Sequence, residues 1–92
     1  DLQADFDSGM AAPGIASLVH ASRNGNAHAL QIIAGMAKQM LHAGGDMGIL
    51  AGRIRPLVEG ERDADKLTEN MGENGQKLMV DILEELLKLE AN

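Results

Sequence analysis

The chain has 92 residues, 45% of them hydrophobic, which is enough for one domain with a modest core and too few for two. Its formal charge is -6, its one aromatic residue is Phe6 and it has no cysteine. That composition excludes disulfides, zinc–thiolate and iron–sulfur centres and a cysteine nucleophile, and it argues against the basic, aromatic-rich surface of general nucleic-acid binding.

Residues 1–12 carry three aspartates and few large apolar groups, so they read as a flexible arm ahead of a single helical domain spanning 13–92. Leu2, Phe6 and Met10 are four apart, a spacing that would let the arm form a helix on a partner or on the body. Pro13 suits a first helical position, where its missing N–H costs nothing. Ile15, Leu18 and Val19 follow at helical spacing and Asn24-Gly25 stops the run, which predicts a short helix at about 13–23.

The next helix is marked by Asn26 as its cap and by an apolar stripe through Ala29, Leu30, Ile33, Met36, Met40 and Leu41. Gly44-Gly45 ends it, and Asp46 is expected to cap the segment that follows. There Met47, Leu50, Ile54 and Leu57 share a face that Pro56 interrupts, so a break is expected near Arg55, with Pro56 opening a new turn. Residues 59–71 are charged, with sparse apolar groups, and read as a solvated helix or a mobile insertion. Gly72-Glu73-Asn74-Gly75 reads as a turn, and a last helix is expected at about 76–90. No segment alternates as a strand does. The fold class is therefore all-α, a four- or five-helix bundle, arranged as one set or as two helix pairs.

Gly14-Ile15-Ala16-Ser17-Leu18-Val19, the turn Ser22-Arg23-Asn24-Gly25-Asn26 and the helix through Ala34-Gly35-Met36-Ala37 together resemble an armadillo-type helical repeat. Residues 52–90 follow the pattern loosely, with about ten extra residues in the connector. The resemblance implies a protein-binding helical surface and carries over no catalytic residue. Two units are fewer than the three a solenoid usually needs.

The chemistry-bearing residues are few. His28 and His42 are about 20 Å apart along one helix and cannot share a metal. Ala27-His28-Ala29-Leu30 is slightly similar to a histidine phosphotransfer motif, which makes His28 the alternative phosphoacceptor. The basic residue and glycine of that family are here Gln31 and Ile32. Met36, Met40 and nearby His42 offer a soft-metal set on paper, but methionine at helical spacing is usually core or adaptable binding surface. The acidic stretches lack a calcium loop's glycine and closing glutamate. Glycine-rich nucleotide motifs are absent. No metal, cofactor or catalytic activity is expected. Arg53 and Arg55 make a small basic spot expected to pair with Glu59, Glu61 or Asp63.

The strongest functional signal is Asp81-Ile82-Leu83-Glu84-Glu85-Leu86-Leu87-Lys88-Leu89, whose apolar arc exceeds what one small core needs. The expected function is a non-catalytic protein–protein interaction or assembly domain. Met36, Met40, Leu83, Leu86 and Leu87 are the expected apolar contacts, made to a protein partner or to a second copy in a homodimer. Neither nucleic acid nor membrane is expected as a partner. No run nears the ~18–20 apolar residues of a membrane span and no targeting segment opens the chain. The chain starts at Asp1, so it is read as an excised domain or processed chain, with a cytoplasmic setting.

Overall fold

The computed structural model describes residues 8–91, so the opening residues 1–7, with Leu2 and Phe6, lie outside what is described. Five helices follow one another: α1 Ser8–Arg23, α2 Ala27–Ala43, α3 Gly45–Glu59, α4 Ala64–Leu67 and α5 Glu73–Ala91. No strand occurs among the described residues, so the chain is an all-α bundle.

The helix α2 forms where the apolar repeat runs unbroken. The Asn26 side chain accepts the Ala29 amide at 3.0 Å, satisfying one of the amides that a helix start leaves open. Gly44, at φ 74°, closes the helix, and its amide donates to the Leu41 carbonyl.

Both proline positions differ from expectation. The helix α1 starts at Ser8, so Pro13 lies inside it and not at its first residue. The helix α3 does not break at Arg55 and continues through Pro56 to Glu59. A proline in a helix removes the bond to the carbonyl four residues back. For Pro56 that carbonyl belongs to Gly52, which is exposed, so water can take the place of the missing donor.

The cap assignments also change. Asp46 does not cap its own helix; the residue before α3 is Gly44, with no side-chain cap. The Asp46 carboxylate crosses to α5, accepting the Gly72 amide at 2.8 Å and the Gly75 amide at 3.0 Å. Residues 72–75 are thus the cap and first turn of α5, not a free turn, and α5 begins three residues earlier than periodicity alone places it.

The charged connector is anchored. Asp63 caps the single turn α4 by accepting the Asp65 amide at 3.0 Å. Leu67 and Met71 are both buried, which removes the reading of 59–71 as a mobile insertion. Three arginines hold the connector by binding backbone carbonyls in the last turn of α3 and in the connector itself. Arg23 donates to Val58, Arg62 to Leu57 and Glu61, and Arg53 to Glu69.

The core lies along α5. Leu78, Met79, Ile82 and Leu86 meet Ala12, Ile15, Ala16 and Val19 of α1, and Leu50, Ile54 and Leu57 of α3 extend the same cluster. The closest packing is of α1 on α5 and of α2 on α3. The long helices α2 and α5, counterparts in the two halves of the repeat-like sequence, share no substantial contact.

Candidate protein-interaction surface

The exposed apolar surface follows from how α2 is covered. On a helical wheel its apolar residues span an arc of about 180°, from Ile32 through Met40 and Ile33 to Leu30 and Leu41. Only the middle of that arc, Ala29, Ile33 and Met40, is buried. Among the described residues the contacts that cover it come from α1 and α3, and they leave its two shoulders partly open. Leu30 keeps 49% of its surface exposed, Ile32 41% and Leu41 64%.

An apolar groove lies on each side of this helix. One, of about 470 Å³, runs between α1 and α2; Ile15 and Leu18 form one wall, Met36 and Met40 the other, and Met47 of α3 closes it. The second, of about 460 Å³, runs between α2 and α3. Ala34, Ala37 and Ala51 line it together with the larger Leu30, Ile33, Ile54 and Val58. At its rim Arg55 pairs with Glu59 at 3.2 Å, as expected for that basic spot. Both members are well exposed, so the pair adds little stability and does not block the groove.

The five expected contact residues divide. Met36, half-buried, and Met40, buried, come together in the wall of the first groove. Leu83 is half-buried against the core. Leu87 is 68% exposed, and Val80, one heptad before it on the same shoulder of α5, is 41% exposed. Leu86 is 0% exposed and belongs to the core; a side chain that the fold encloses completely offers nothing to a partner, so it leaves the contact set. Leu30 and Leu41 belong to the apolar stripe and Ile32 lies just outside it, and the spacing alone marks none of the three as surface. A stripe read as helical spacing gives its centre line but not how much neighbouring helices cover.

The histidines stay apart. His28 is exposed in the first turn of α2, with Gln31 on the next turn and Ile32 beyond. His42 is exposed in the last turn of the same helix. His20 lies on α1, where its Nε2 is 3.2 Å from the Asn24 amide nitrogen. Among the described residues no three acidic or histidine side chains cluster as metal ligands would. No helix among them is long and apolar enough to cross a membrane.

One carboxylate has a lowered pKa, that of Glu90. Glu90, near the end of α5, accepts Arg62 Nε at 3.1 Å. That hydrogen bond lowers its pKa, partial burial opposes the shift, and the charges of Arg62, Arg23 and His20 add to the lowering. The pair joins the α3–α4 connector to the far end of α5, and neither residue lines a groove.

Comparison with family models, with curated proteins and with solved structures gives no match.

Proposed function

We propose that this domain is a non-catalytic protein–protein interaction or assembly module, acting as an adaptor or through self-association. One observation carries the reading: α2 is apolar around a wide arc yet covered along a single stripe, with an open apolar groove on either side. Exposed apolar surface costs free energy in water, and its concentration on one helix is the usual mark of a docking face. The three methionines lining the first groove suit an adaptable contact, because an unbranched thioether fills irregular space readily. The armadillo-type likeness of the first half points the same way. A cytoplasmic setting is part of this reading, and fractionation of source cells tests it.

Affinity capture from the source lysate tests the binding role, with wild-type protein beside Leu41→Asp and Leu87→Asp. A protein held by wild type and lost by either variant, with helical circular dichroism unchanged, supports an adaptor. The same proteins recovered on all three, with no self-association of the purified domain, overturns the reading. The alternative, phosphotransfer through His28, predicts acid-labile phosphate from a competent phosphodonor that disappears in His28→Gln. The interaction reading predicts none.

A further inference from the structure

The dipeptide Asn-Gly occurs twice in the sequence, at Asn24-Gly25 and at Asn74-Gly75. An asparagine followed by glycine is open to attack by its own chain. The glycine amide nitrogen, on losing its proton, adds to the asparagine side-chain carbonyl carbon and closes a succinimide ring, and the side-chain nitrogen leaves as ammonia. Water then opens the ring at either carbonyl. The products are aspartate and isoaspartate, in which the main chain runs through the β-carbon. Glycine suits the step because it has no Cβ to obstruct the nitrogen. The reaction needs an amide that can come free and a backbone that can turn.

The fold treats the two pairs differently. Asn74 lies in the first turn of α5, Gly75 is buried, and the Gly75 amide donates to the Asp46 carboxylate at 3.0 Å. An anionic acceptor strengthens that hydrogen bond, and its charge opposes removal of the amide proton. Asn24 follows the last residue of α1, and both Asn24 and Gly25 are exposed. The Gly25 amide donates to the neutral Ser22 carbonyl at 3.1 Å, a local bond at a helix end, where opening costs least. Gly25 has φ 94°, with nothing within 4 Å of where a Cβ would lie, so this turn has room to reshape. The Asn24 side-chain nitrogen, the atom that would leave, is 3.2 Å from His20 Nε2 in an exposed contact.

We infer that Asn24 is a site of spontaneous deamidation in the folded protein, giving aspartate and isoaspartate, while the Asp46 carboxylate protects Asn74. This does not depend on the interaction reading. Conversion adds a negative charge beside Arg23 and His20, in a chain whose formal charge is already -6. The isoaspartyl product also lengthens the link between α1 and α2 by one main-chain atom. Those helices supply the facing walls of the first groove, Ile15 and Leu18 on one side and Met36 and Met40 on the other.

Ageing the whole chain in mildly alkaline, heavy-oxygen water provides the test. Peptide mapping by mass spectrometry locates the incorporated oxygen, and electron-based fragmentation separates isoaspartate from aspartate. Short peptides with the two local sequences, aged alongside, give the rates without the fold. Position 24 of the folded protein is expected to take up the label and to yield both products. The rate at 74 relative to 24 is expected to be at least about tenfold lower in the protein than in the peptides, the factor one charge-assisted hydrogen bond corresponds to. Asp46→Ala is expected to raise conversion at 74 and to leave that at 24 unchanged. Asp46→Asn, which removes the charge and keeps an acceptor, serves should circular dichroism show the first variant unfolded. Position 74 converting as fast as 24 in wild type overturns the inference, as does position 24 staying intact while its peptide converts. A folded Asp46 variant in which Asn74 stays protected overturns it too.

Discussion

The carboxylate of Asp46 holds the amide of Gly75 at 3.0 Å, joining the first turn of α3 to the first turn of α5 across twenty-nine positions of sequence. A side chain from another helix thus does the work of a cap. It also fixes the identity of residue 75, because a Cβ there would lie 2.7 Å from the Asp46 carboxylate and 2.8 Å from its Cβ.

Removing that carboxylate leaves the Gly72 and Gly75 amides without their acceptor. Asp46→Ala is expected to cost about 1–2 kcal/mol, the range of a lost helix cap. Gly75→Ala is expected to destabilise despite alanine's better helix propensity, since the new methyl displaces the carboxylate. Urea denaturation of both variants measures this; a stabilised Gly75→Ala would contradict the packing described.

Gly35 supplies the opposite case. It lies mid-helix in α2, and a Cβ built there meets nothing within 4 Å. Gly35→Ala is expected to stabilise the domain by roughly 0.5–1 kcal/mol, through a less disordered unfolded chain. Thermal melting should show a higher midpoint, with a glycine-to-alanine change of one sign at position 35 and the other at 75.

Neighbouring leucines of α5 should behave differently. Leu86 is fully enclosed, and Leu86→Ala is expected to lose about 2–5 kcal/mol. Leu87→Asp touches an exposed position and is expected to change stability by no more than about 0.5 kcal/mol while altering association. Chemical denaturation and sedimentation, run on both, separate the two roles.

The Glu90 pKa lies below its ordinary value of 4.5, so folding favours the ionised form. Its contribution is fully present above that value and disappears as pH falls through the lowered one. Stability of wild type and Glu90→Gln should therefore differ at neutral pH and converge as pH falls below the ordinary 4.5 and through the lowered pKa. A constant gap across that range would show that the ionised pair with Arg62 contributes nothing.

Much of the fold is legible in the residues. The body of α2 and that of α5 follow from unbroken apolar periodicity, and the Asn26 cap and the Gly44 stop follow from side-chain chemistry within a few positions. What is not legible depends on distant neighbours. Nothing near Asp46 in sequence indicates that its acceptor work lies at Gly72 and Gly75. Pro56 reads as a breaker because local rules price the lost hydrogen bond without the packing of Ile54 and Leu57 that carries the helix past it. Leu86 and Leu87 have the same composition and differ in burial only through the 100° between them. For the same reason the open shoulders of α2 emerge only once α1 and α3 are in place.

The packing of α5 on α1 sets an order of events in biosynthesis. Ala12, Ile15, Ala16 and Val19 are complete soon after α1 leaves the ribosome, yet their main cover, Met79, Ile82 and Leu86, is made only after α2, α3 and α4. Until then the nascent chain holds a bare apolar stripe with only α2 and α3 beside it. The same long reach places loop closure between the two best-packed helices late in folding, where its entropy cost falls on the rate. A chain stalled before α5 is therefore the species in which chaperone capture and misassembly compete with folding.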